Sequence, residues 1–331
     1  MGDIDIIDKI TKDELLYNNE FGYESDFLLA DSVTNLYTAE SFSSILSLRL
    51  AEDLTSMEDG FFKTIWDVIV KIFKSIYNAI KKFFLFIVDF FKNIFGINKE
   101  KDVEIEAIQK KASSDPKFAK VVENSRDALQ KHIDKMVKNL NVNNNVSFEE
   151  ANTIEKNIII IEPRYEKNFV DTFYNSVTVA MREVEGLSRR LVVNGAFSEN
   201  VRRTNGILTE CISTLNDGVI RYTLNIDKDN TNDIVDRMIY TKDLGVYKKI
   251  FANIYNDFSK SSTMLSTKIA GLRAPIYSHP SREAYVRLTN QLCSSMSSFS
   301  RAIVDYTTIY MKTEKFKSLM KSKFVELVHA T

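Results

Sequence analysis

Residues 61–97 constrain everything else in this chain. At 100° per residue, Lys63, Thr64, Asp67, Lys71, Lys74, Ser75, Asn78, Lys81, Lys82, Asp89, Lys92, Asn93 and Gly96 fall within an arc of about 120°. Leu85 is the one apolar side chain inside that arc. The rest of the circumference, about 240°, is Phe, Ile, Val, Trp66, Tyr77 and Ala79. One phase held over about nine turns predicts an unbroken helix roughly 50 Å long. Twenty-four of its 37 residues are apolar. Each large side chain gains about 1.5–3 kcal/mol on burial, so water cannot be the cover of this face.

Three covers meet that demand. One is the chain's own fold, with the helix as a core element. The second is a further copy or a partner protein. The third is a membrane surface, where a helix with a lysine stripe opposite a Phe-rich face lies in the headgroup region. The partner or membrane face would be carried by Phe62, Ile65, Trp66, Ile69, Phe73, Ile76, Phe83, Phe84, Phe90 and Phe91, and the polar stripe by Lys71, Lys74, Lys81, Lys82 and Lys92. A conventional span is not expected, because uncharged stretches such as 83–88 reach about six residues against the roughly 20 required. An oligomeric pore lined by the stripe stays open.

Charge divides the chain at the start of this helix. Residues 1–60 hold fourteen acidic and three basic side chains, net −11, and the remainder carries +10, so the overall −1 conceals two parts with different jobs. The reading is therefore a flexible acidic leader (1–60), a cationic amphipathic helix (61–97) and a helical-bundle body (98–331). Weak short helices are expected at 5–18 and 40–56. Charge complementarity suggests that 1–58 shields the lysine stripe until it is removed or displaced.

With 10 Gly and 4 Pro in 331 residues, the body favours long helices over turn-rich β structure. Charged helices are expected over 101–140, with Ser114-Asp115-Pro116 as a helix start. Asn-rich 141–145 reads as a loop, and Ser147 and Glu150 have capping-box spacing. Ile158–Ile161 is either a short strand or a buried helix end. Helical spacing then predicts helices from 164, over 199–222 with Ser198 as cap, over 231–240 and 244–270, and a last one from His279-Pro280 that exceeds 40 residues. Such lengths fit an all-α, antiparallel bundle.

Chemistry is sparsely marked. His132, His279 and His329 have no second ligand at metal spacing. A Gly-rich phosphate loop, G-x-S-x-G, H-E-x-x-H and C-x-x-C are all missing. Cys211 and Cys293, each inside a helical pattern, read as buried free thiols. MGDIDIIDKI lacks a secretory pattern, and Ile6 stands where a myristoylation signal wants Ser or Thr. The expectation is a protein that is not an enzyme and has no cofactor and no metal, with a hydrolase of unmarked site as the rival. Arg189-Arg190, Arg202-Arg203 and Lys248-Lys249 are either solvated helix faces or contacts to nucleic-acid phosphates.

Two tripeptides precede the apolar helix. Leu50-Ala51-Glu52 looks like an aliphatic-x-Glu cleavage pattern, and Ser56-Met57-Glu58 looks like the small-x-Glu pattern of giant phages. With the helix behind them, over residues 40–97, the layout resembles internal head and virion structural proteins of large tailed bacteriophages. That resemblance implies a leader removed after Glu52 or Glu58 by a maturation protease. It also implies a non-enzymatic protein in the capsid interior, contacting other virion proteins or itself, and ejected with DNA, where a membrane-seeking helix has a use. The rival from another class is a membrane-binding or pore-forming protein acting inside a cell.

Overall fold

The computed structural model describes residues 59–142, 158–226, 234–241 and 246–330. The expected leader helices, the Asn-rich loop's last residues and the Ser147–Glu150 box lie outside these. Among the described residues the chain is all-α, with one two-stranded sheet. The elements are α1 (Asp59–Ser114), α2 (Pro116–Val142), β1 (Ile158–Ile161), a 3-10 turn (Pro163–Tyr165), α3 (Glu166–Arg190), α4 (Phe197–Tyr222), β2 (Thr223–Ile226), α5 (Ile234–Tyr240), α6 (Val246–Gly271), α7 (Arg273–Tyr277) and α8 (Arg282–Ala330).

The first helix does not stop at Gly96. It runs to Ser114, 56 residues in all, so the expected boundary between 97 and 98 is not a structural one. Gly96 sits exposed, where a side chain would meet open space, and nothing there forces the chain out of the helix. The real stop is Asp115-Pro116. Proline cannot accept a place in the helix interior, and the Asp115 carboxylate receives the Lys117 N–H at 2.9 Å and the Phe118 N–H at 3.3 Å, capping α2. Ser198, by contrast, is not a cap. Helix α4 already begins at Phe197, and Asn194 receives the Ala196 N–H at 3.0 Å through Oδ1 to turn the chain. The last helix, 49 residues long, opens at Arg282, with His279 Nδ1 receiving the Ser281 N–H at 3.1 Å.

Two units divide the chain. The first takes its described residues from 59–90, 177–212 and 251–304. Here α1 and the α6–α7 segment run antiparallel. Phe62 meets Tyr277, Asp67 meets Arg273, Tyr77 meets Ser259 and Phe84 meets Phe258, one sequence rising as the other falls. Helices α3 and α4 are antiparallel too, since Ala180 lies beside Cys211 while Glu183, further along α3, accepts from the earlier Thr204 at 3.0 Å. Start-of-helix packing for α8 comes from Tyr285, edge-on to Phe197 at 4.7 Å.

The second unit takes its described residues from 91–142, 158–176, 213–226, 234–241, 246–250 and 305–330. Its core gathers Phe316, Met320 and Phe324 of α8 with Ile105 and Ile108 of α1, Leu129 and Ile133 of α2, and Met238 and Ile239 of α5. Ile158–Ile161 resolves as a strand, antiparallel to Thr223–Ile226 with Ile158 opposite Ile226 and Ile161 opposite Thr223. Four β-branched residues in a row favour that outcome over a helix end. Gly218 allows α4 a close approach: a Cβ there would stand 3.2 Å from the Tyr306 ring and 3.3 Å from Thr172.

Candidate functional site

The two faces of α1 are the surface that the sequence singles out. Of the ten face residues, Phe62, Ile65, Trp66, Ile69, Phe73, Ile76, Phe83, Phe84 and Phe91 are all buried, none more than 4% exposed, and Phe90 is half-buried. Their cover is the chain's own fold. Phe84 lies against Tyr255 and Phe258 with centroids 5.9 and 6.1 Å away, and Phe62 against Tyr277 at 5.3 Å. These residues are thus core, and a lipid or partner surface built from them exists only if α1 first leaves its neighbours.

The opposite stripe is open to solvent. Lys63, Lys71, Lys74, Lys81, Lys82 and Lys92 are exposed, as is Leu85 at 48%. Asp67 is paired with Arg273 at 3.3 Å. Lys63, Lys71, Lys74 and Lys81 form no ion pair with any described residue. Tyr77, at the edge of the stripe, has its hydroxyl 3.3 Å from Ser259 Oγ. That bond, helped by the positive field of Lys81, holds its phenol below the ordinary value. The candidate cleavage residues Glu52 and Glu58 lie outside the described residues; a cut after Glu58 leaves the whole of Asp59–Ser114 in the chain.

A buried ionic cluster in the second unit escaped sequence reasoning. Lys317, fully buried, reaches Glu166 Oε2 at 2.9 Å and Glu314 Oε1 at 2.5 Å. Tyr310 donates to Glu166 Oε1 at 3.2 Å. One turn on, buried Lys321 meets Asp102 at 2.6 Å. Tyr247 lies beside the cluster, its ring edge-on to Tyr310 at 5.9 Å, and its phenol is pushed far up by burial and by the Glu166 charge. Nothing in the local sequence separates these lysines from ordinary surface ones. Glu314, Lys317 and Lys321 have the spacing of solvated helix pairs, and their distant partners Glu166 and Asp102 are visible only in the fold. The cluster opens into no cavity among those described.

The cavity that is described belongs to the first unit. It measures about 650 Å³ and is walled by Val192, Met264, Thr267, Leu272 and Pro275, with Ser188 and Lys268 as polar members. Among the described residues no group of three His, Cys, Asp or Glu side chains is placed to hold a metal ion, and no helix is long and apolar enough to cross a membrane. Cys211 and Cys293 are free and buried, as expected. No protein-family model matches the chain, and neither does any curated protein or solved structure.

Proposed function

We propose that this chain is a non-enzymatic structural protein of the interior of a tailed-bacteriophage head, made as a precursor and matured by removal of residues 1–58. The observation that carries the reading is the place of Ser56-Met57-Glu58. A cut there takes away thirteen acidic and three basic side chains, passes the net charge from −1 to +9, and leaves every described residue in the product. A cationic helical protein suits a compartment filled with nucleic-acid phosphate. The cut after Glu52 is the less fitting of the two, since it leaves Asp53 and Glu58 attached. The membrane-binding reading is disfavoured by the cost of unpacking α1, whose apolar face is worth tens of kcal/mol where it lies, at about 1.5–3 kcal/mol per large side chain.

Mass spectrometry of purified particles tests the reading. The expected product begins at Asp59. A packaged chain that retains Met1 overturns the processing, and particles without the chain overturn the virion assignment.

A further inference from the structure

We propose that the exposed lysine stripe of α1, from Lys63 to Lys82, is the docking surface of the chain's own acidic segment 1–58. This rests on the reading of 1–58 as a removable leader, and it assigns that leader a seat.

Five cations of the first unit are held by its own carboxylates. Arg189 and Lys260 share Glu185, Arg190 and Arg203 share Glu183, and Arg273 takes Asp67. Three carboxylates thus engage five cations, none of them on the stripe. Lys63, Lys71, Lys74 and Lys81 lie on one exposed face and pair with no described carboxylate. The unit's described residues, 59–90, 177–212 and 251–304, carry sixteen basic and nine acidic side chains, net +7. Segment 1–58 carries −10 and joins the unit directly at Asp59.

Reach is not limiting. Lys63 and Lys82 are nineteen residues apart, about 28 Å along a helix. Ten residues of extended chain span up to roughly 33–36 Å, so a leader attached at Asp59 covers the full stripe with most of its length to spare. Attachment also makes the encounter intramolecular, at an effective concentration of about millimolar order. Single exposed ion pairs are weak; several of them on one tether hold at low ionic strength and release when the Debye length falls to about 3 Å near 1 M salt. Cutting after Glu58 removes the tether, and the described unit then passes from net −3 to net +7.

The test is zero-length carboxyl–amine cross-linking of the full chain, mapped by peptide mass spectrometry at low salt and at 1 M salt. Cross-links from Asp and Glu of 1–58 are expected to concentrate on Lys63, Lys71, Lys74, Lys81 and Lys82 at low salt and to vanish at high salt. An even spread over exposed lysines, including Lys117, Lys120 and Lys131 of α2, overturns the docking. In a second arm, full-length K71Q/K74Q/K81Q/K82Q is expected to keep its helical circular dichroism and to lose its leader to limited proteolysis several-fold faster; an unchanged rate overturns the docking. Failure here leaves the particle N-terminus to decide maturation, and failure there leaves these cross-links to decide docking.

Discussion

Lys317 and Glu166 stand 151 positions apart in the chain and meet at 2.9 Å where neither is exposed to water. Taking both charges out of water is costly; Tyr310 offsets part of that cost by donating to Glu166 Oε1, and Lys317 is also the cation beside buried Glu314. Lys317→Met alone is therefore expected to destabilise the protein by about 3–5 kcal/mol, leaving two carboxylates without their cation. Combining it with Glu166→Gln and Glu314→Leu should recover most of the loss. Urea unfolding of both variants checks this; a neutral single variant would refute the arrangement.

Phe84 and Leu85 are neighbours with opposite surroundings, one buried and one 48% exposed. Phe84→Ala is expected to cost about 3–5 kcal/mol by opening a cavity. Leu85→Gln should change stability by no more than about 0.5 kcal/mol. Equal effects in thermal unfolding would contradict the phase of α1.

Asn98 is fully buried on α1, and neither side-chain atom has a hydrogen-bond partner. Its amide carries a desolvation penalty of about 1–3 kcal/mol with no return. Asn98→Leu, close in volume, should raise the urea midpoint; a fall would indicate a partner that this geometry does not contain.

Tyr247 and Tyr306 both have phenols raised far above the ordinary value, first by burial. The Tyr306 hydroxyl also donates to the Phe169 carbonyl at 2.7 Å. A group raised on folding contributes stability fully below its unfolded pKa, about 10 for tyrosine, and loses it as pH climbs toward the folded value. Unfolding midpoints should hold from pH 7 to 9 and decline above pH about 10. Tyr306→Phe should flatten that decline, measurable by fluorescence-monitored denaturation.

Cys293 is wholly buried and its thiol is pushed well above the usual range; Cys211 is raised as well, chiefly by burial. Thiolate is the reactive form. Both should resist maleimide in the native protein and label fully in urea. Rapid native labelling of Cys293 would be inconsistent with its place in α8.

The helical class was legible because period and phase survive in sequence. Leu85 stood out as the exception on the polar arc and is exposed, and Asp115-Pro116 announced a helix boundary by cap and ring chemistry together. Gly96 misled, because a lone glycine weakens a helix without ending it. Ser198 misled because Asn194 turns the chain earlier. The ionic cluster was illegible for a deeper reason: burial of Lys317 is a property of what surrounds α8, while its i,i+3 spacing to Glu314 is identical to that of a surface pair. The same limit hid the cover of α1, since amphipathicity states that a face must be covered and leaves open by what.

The distance in sequence between partners also sets a clock. Asp102 is synthesised 219 residues before Lys321, and Tyr77 is synthesised 182 residues before Ser259. At about 5–20 residues per second, a nascent chain carries the finished Phe-rich face of α1 for roughly 10 to 45 s before its partners exist. Residues 1–60, made just before that face, carry −11, so repulsion between neighbouring nascent chains is in place before the face that would make them stick.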